Sequence, residues 1–121
     1  MRVESKKYLY DIVRAAAAAM SFVAGKKFAE YNGDLMLRSA VERQLEIVGE
    51  ALAQLARADP ASASLISEHR RIIAFRNILI HGYAEIDQRI VWSVVEGKLP
   101  VVRREAESLL GTEERGGGSQ Q

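Results

Sequence analysis

At 121 residues the chain has room for one domain around a single hydrophobic core, and 48% hydrophobic with 27% charged residues make it globular, not disordered. It contains no cysteine, which excludes disulfides, thiolate metal sites and cysteine nucleophiles and fits a reducing, cytoplasmic setting. A formal charge of +1 provides no global field for a polyanion, so nucleic-acid binding would need a local patch or two paired copies.

The first segment carries two adjacent stripes at helical spacing, Tyr8, Ile12, Ala15, Ala19 and Phe22 beside Leu9, Val13, Ala16, Met20 and Val23. That is a helix facing the core over a wide arc. Its run Ala15 to Met20, preceded by Lys6, Lys7 and Arg14, superficially resembles a signal-peptide core. Alanine is only weakly apolar, however, and Asp11 and Arg14 lie against the run, so export is not expected. No stretch approaches the ~20 apolar residues needed to cross a bilayer.

Gly25 is expected to end or bend this helix, and a further turn through Phe28 and Tyr31 leads to the stop signal Asn32-Gly33. Asp34 then caps a second long helix whose stripe runs Leu37, Val41, Leu45, Val48, Leu52 and Leu55 in steps of four and three. Such regularity favours near-parallel packing against a partner helix. Gly49 inside this helix costs about 1 kcal/mol against alanine, which implies close approach of another helix. Asp59-Pro60 breaks the pattern.

A third helix is predicted from Ala61 or Ser62 through Leu65, Ile72, Ile73 and Leu79, stopped by Gly82. Asp87 caps a short fourth helix, with Ile86 placed to staple onto Val91. Gly97 is expected to end it, and Pro100 to open a fifth helix, where a missing N–H costs nothing. Beyond Leu110 the composition turns Gly-rich and polar. The expected organisation is therefore a helical domain over residues 1–110 and a disordered tail over 111–121. With no repeats and no sustained strand alternation, the fold class is all-α, an antiparallel bundle of four to five helices.

Chemical capacity concentrates at the end of the third helix, in Arg70-Arg71-Ile72-Ile73-Ala74-Phe75-Arg76-Asn77-Ile78-Leu79-Ile80-His81-Gly82-Tyr83. Asn77 and His81 are four apart and share a face. Arg76 is five from His81, about 140° around an ideal helix, so the two line one cleft only at a fraying helix end or between two copies. The set suits RNA cleavage without a metal or other cofactor. A histidine, titrating near neutrality, exchanges protons with the 2′-hydroxyl or the 5′-leaving oxygen. An arginine grips the phosphate and stabilises the charge that develops on it. Asn77 would orient the imidazole or donate to the phosphate. With twelve arginines and two histidines in the chain, an Arg-x4-His match also arises readily by chance. The plain alternative is that His81 only caps the negative end of its helix.

Lesser candidates carry structural alternatives as well. Glu46 and Glu50 share a helix face one turn from Arg43, and either brace Arg76 or His81 or form an interhelical ion pair. Arg70 and Arg71 extend a phosphate patch or simply form a solvated face. Trp92 reads as a core or interface anchor more than a base-stacking platform, and His69 as a surface residue.

Arg76-Asn77-Ile78-Leu79-Ile80-His81-Gly82-Tyr83 resembles the R-N-x3-H-x-Y signature of HepT-like HEPN proteins. Leu9-Tyr10-Asp11-Ile12 is similar to the first helix of that family, Arg43 to Ala51 to its second, and Val91 to Glu96 with Leu99-Pro100 to its closing segment. The similarity spans roughly residues 5 to 110 in the same order. It implies a homodimeric HEPN bundle acting as a metal-independent endoribonuclease on RNA, a toxin of the HepT/MntA type. Arg76 and His81 would be catalytic, with the motifs of two copies meeting in one cleft, and Asn77 matches the residue that follows the arginine. The implied partner is an MntA-like minimal nucleotidyltransferase antitoxin that transfers AMP onto Tyr83. The alternative within the same family is a non-catalytic module that binds nucleotide or such a partner.

Overall fold

A computed structural model of the chain describes residues 1–81 and 86–119, with side chains described up to residue 111. Among the described residues every regular element is helical: α1 Val3–Val23, α2 Phe28–Asn32, α3 Leu35–Ala58, α4 Pro60–Ala63, α5 His69–His81, α6 Gln88–Ser93 and α7 Leu99–Ser119, with a π-helical segment Val94–Lys98 joining the last two. None of the described helices is long and apolar enough to cross a membrane.

α1 packs against α3 and α7, and α3 also packs against α5. The expected stripes form the core. Leu9, Ile12, Ala15, Ala16, Ala19 and Val23 of α1 are buried against Val41, Leu45, Val48, Leu52 and Leu55 of α3, with Leu99, Val102 and Ala106 of α7 completing the layer. Each fully buried leucine or isoleucine contributes roughly 1.5–3 kcal/mol, so this continuous cluster dominates stability.

The predicted caps are present. Asp34 accepts from the backbone N–H of Leu37 at 3.0 Å, and Asp87 accepts from that of Arg89 at 2.9 Å. Gly25 takes φ +75°, a left-handed conformation that suits glycine and turns the chain out of α1. Tyr31 of α2 is fully buried and donates to Gln88 Oε1 at 2.5 Å, while Gln88 Nε2 donates to Glu42 Oε2 at 2.9 Å. This chain ties α2 and α6 to α3. Burial first, and the neighbouring Glu42 charge second, hold the Tyr31 phenol protonated well above its ordinary range.

Three elements differ from expectation. The predicted third helix is split: α4 ends at Ala63, and the chain turns at Glu68, whose φ of 67° lies in the left-handed region. Leu65 is consequently exposed, and Ile66 takes the core position. The reversal is pinned from α7, where the Glu105 carboxylate accepts from the Ser67 N–H at 3.0 Å and from its hydroxyl at 2.6 Å.

Gly97 does not end the fourth helix. The Leu99 N–H bonds Val94 O, five residues back, and the wider π turn carries the backbone into α7. Pro100 lies one residue into α7, so the N–H it lacks is lost just where the wider turn leads into the α-helical ladder. Helical backbone also continues from Leu110 to Ser119, the segment where composition suggested a disordered tail.

Candidate active site at the end of the fifth helix

α5 packs on α3, with a close approach at Gly49. A Cβ there would lie 2.3 Å from Arg76 Cβ, 2.8 Å from Arg76 Cγ and 3.3 Å from Ile72 O. The interhelical contact expected at this glycine is thus the stem of Arg76 itself. Only a residue without a side chain lets the arginine lie across the α3 backbone.

The guanidinium is held at both ends. Nη2 pairs with Glu50 Oε2 at 2.5 Å, and Nη1 donates to Asn77 Oδ1 at 2.9 Å. Gln54 Nε2 donates to the other oxygen of Glu50 at 3.0 Å, making a chain Gln54–Glu50–Arg76–Asn77 across two helices. Arg76 is mostly buried, with side-chain exposure of 26%, and its Nε lies buried without a hydrogen-bond partner. A guanidinium so fixed presents its remaining donors in one direction, as a phosphate-binding group requires.

Of the two expected braces, Glu50 holds Arg76. Glu46 instead faces Arg43 at 3.4 Å, an exposed pair of little energetic weight. Arg76, Glu50, Glu46 and Arg43 all line one 480 Å³ cleft between α1, α3 and α5. Lys7, Tyr8, Asp11 and Gln54 line it too. Lys7, Tyr8 and Asp11 come from α1 and reach the arginine through the pairing of α1 with α3, while Gln54 lies on α3 itself.

His81 is the last residue of α5 and is exposed, as is Asn77 one turn before it. The cleft around Arg76 takes Ile80 from this last turn and not His81. Within one chain, then, the arginine lines the cleft, while the histidine is exposed and is not part of its lining. Tyr83, the expected modification site, and Gly82, the expected helix stop, lie outside the described residues.

The remaining candidates fall into structural roles. Trp92 is partly buried and packs edge-on against Phe28 at 6.0 Å and at a tilt against Tyr31 at 5.3 Å. Arg71 stands by Glu68 at 3.5 Å and Arg70 is exposed. His69 is half-buried, with Nδ1 3.0 Å from Ile66 O, where charge patterning had suggested a surface residue; the split of the helix turns it inward.

The Ribonuclease HepT-like family model matches residues 12–109. The chain belongs to the HepT-like ribonuclease family. It is 33% identical over 102 residues to a Methanocaldococcus jannaschii protein named "Putative RNase", covering 84% of this chain and 93% of the relative. It is 30% identical over 112 residues to a "Probable ribonuclease HepT" of Thermococcus cleftensis, covering 90% and 98%. A further "Putative RNase", from Caldanaerobacter subterraneus, is 28% identical over 105 residues, covering 87% and 93%. No solved structure matches the chain.

Proposed function

We propose that the chain is a toxin endoribonuclease that cuts RNA without a metal, at a site completed by two copies. The observation that carries this reading is the fixed Arg76 guanidinium, held by Glu50 and Asn77 over Gly49, in a family of ribonucleases. In the reaction, a His81 imidazole takes the proton of the 2′-hydroxyl and the 2′-oxygen bonds to phosphorus. The bond to the 5′-oxygen breaks, and an imidazolium returns a proton to that leaving oxygen. The products are a 2′,3′-cyclic phosphate and a 5′-hydroxyl. Arg76 stabilises the charge gathering on the phosphoryl oxygens.

Two features support a shared site. Within one chain Arg76 lines the cleft and His81 does not. Beside them α5 and α6 expose Ile78 (56%) and Ile90 (51%) around a 260 Å³ apolar groove also lined by Ala74, Phe75 and Val94. This apolar face is a pairing surface for a second copy.

The motif resemblance further supports an MntA-like nucleotidyltransferase antitoxin as partner, with Tyr83 as the acceptor of AMP. An added nucleotide would put bulk and a negative phosphate beside Arg76 and exclude the RNA phosphate. Expression of the wild type and of His81→Ala, with growth and RNA integrity followed, tests the nuclease. A wild type that neither slows growth nor cuts RNA at any dose ends this reading. Incubation with the partner enzyme and ATP, read by mass spectrometry, tests the switch, and AMP addition that persists in Tyr83→Phe removes that residue from it.

A further inference from the structure

The cleft beside Arg76 contains more than the reaction requires. Three cationic side chains, Lys7, Arg43 and Arg76, face three acidic ones, Asp11, Glu46 and Glu50, so the lining is electrically balanced, three against three. Two of the pairs are direct, Glu50 with Arg76 and Glu46 with Arg43. A balanced cleft is not a track for the phosphodiester backbone, which needs an excess of cations. Its volume of 480 Å³ falls within the range of small-ligand sites, roughly 300–1,000 Å³. What fits next to a phosphate held on Arg76 is an uncharged group with a flat face and a polar edge.

We infer that this cleft is a subsite for one unpaired nucleobase of the RNA, the base flanking the phosphate on Arg76. The inference rests on the ribonuclease reading above. Tyr8, half-buried at the cleft wall with the Lys7 ammonium 5.9 Å from its ring centroid, supplies a stacking face on which a base would displace that cation, and single-stranded bases bind proteins chiefly by such stacking. Asp11 and Glu46 supply carboxylate acceptors at the edge, and Gln54 is already committed through its amide to Glu50. Acceptors of this kind take a hydrogen bond from an exocyclic amine, as acidic side chains do from the cytosine N4 group. Uracil has the same outline but presents a carbonyl at that position, which would face the carboxylates unpaired. The cleft therefore favours cytosine over uracil, a pair differing at the edge and not in shape. Lys7 and Arg43, both exposed, stand at the rim, where the strand's flanking phosphates would pass.

Short 2′-O-methyl oligonucleotides test this directly, because they lack the attacking hydroxyl and cannot be cleaved. The probes are labelled oligo-C, oligo-U and an abasic strand of equal length, bound to the full chain and followed by fluorescence anisotropy. Oligo-C is expected to bind about tenfold more tightly than oligo-U, the size of one base-edge contact. Tyr8→Leu, which keeps an apolar side chain in the wall, should weaken oligo-C about tenfold while leaving the abasic strand unchanged. Glu46→Gln, which replaces a side chain paired only with exposed Arg43, should narrow the preference for cytosine; a thermal melt of each variant shows that the fold is intact. Equal binding of oligo-C and oligo-U by the wild type overturns the subsite, as does unchanged oligo-C affinity in Tyr8→Leu. A wild type that cuts RNA but does not discriminate keeps the nuclease and loses the subsite. One that discriminates but never cuts keeps the subsite and loses the nuclease.

Discussion

Gly49 on α3 and Arg76 on α5 occupy what would otherwise be the same space, since a side chain on Gly49 would begin 2.3 Å from Arg76 Cβ. Neither atom belongs to a flexible side-chain end, so any substitution at Gly49 must move one helix relative to the other. The glycine therefore sets both the depth of the α3–α5 contact and the position of the arginine, coupling fold to site.

Gly49→Ala is expected to destabilise the chain by about 1–3 kcal/mol, the usual cost of overpacking, despite a helix-propensity gain of up to about 1 kcal/mol. Gly111→Ala is the control: a Cβ there meets nothing within 4 Å, so it should be neutral or stabilising. Chemical denaturation of the two variants beside the wild type measures the contrast.

Glu50→Ala should separate aim from stability. The Glu50 side chain is 43% exposed, so loss of its ion pair with Arg76 should cost less than about 1 kcal/mol. The released guanidinium loses its direction, and RNA cleavage should fall roughly 10- to 100-fold, as displacement of a positioned group by about 1 Å does. Glu50→Gln, which retains an acceptor oxygen, should recover part of the rate. Initial cleavage rates and melting temperatures, taken together, check both halves.

Mixing Arg76→Ala with His81→Ala distinguishes a shared site from a self-contained one. Each variant alone should lose roughly 10²–10⁴-fold in rate. If the arginine of one copy works with the histidine of the other, the mixed dimer regains one intact pair and measurable activity. No recovery after refolding the two together would place both groups in the same chain.

Ile78→Glu combined with Ile90→Glu should disrupt pairing without unfolding the bundle, because both side chains are more than half exposed. Burial of two carboxylates in an apolar interface is strongly unfavourable. Light scattering should show a dimer for the wild type and a monomer for the variant, and cleavage should be lost along with pairing. A variant that stays dimeric moves the interface elsewhere.

Asp59 gives a pH-dependent stability difference. The Ser62 hydroxyl, donating at 2.7 Å, is the main reason its carboxyl titrates below the usual 3.8, helped by the Ser62 N–H. A folded pKa depressed in this way stabilises the fold above the unfolded value and is lost as pH falls through the folded one. Asp59→Ala should thus cost about 1 kcal/mol at pH 7, a typical N-cap loss, and the gap to the wild type should narrow as pH falls below the ordinary carboxylate range and close in strong acid. Denaturation curves at pH 7 and in strong acid test this.

Features with local causes were legible in the sequence, and those with distant causes were not. The stripes of α1 and α3 were legible because a 3.6-residue period sustained over five or six apolar positions has one solution, a helix with that face buried. The caps at Asp34 and Asp87 were legible because they act within three residues. The break at Ser64 to Glu68 was not. It depends on Glu105, 38 residues away, which bonds Ser67 and holds a reversal that local preference would not choose. The π turn before Pro100 was hidden similarly, because glycine and proline there read as a stop, while the burial of Val94, Val95 and Leu99 keeps the segment helical.

The sequence alone determined the all-α bundle, the helix carrying Arg76-Asn77 and His81, and the need for close contact at Gly49. All of these follow from periodicity, turn chemistry and a glycine's lack of a side chain. Tertiary structure decided the rest: that Glu50 and not Glu46 holds Arg76, that Tyr8, Asp11 and Gln54 share its cleft, and that Ile80 and not His81 lines it. Those facts depend on how deeply α1, α3 and α5 interpenetrate. Spacing along a chain fixes which face a side chain takes, but not which residue of another helix it meets.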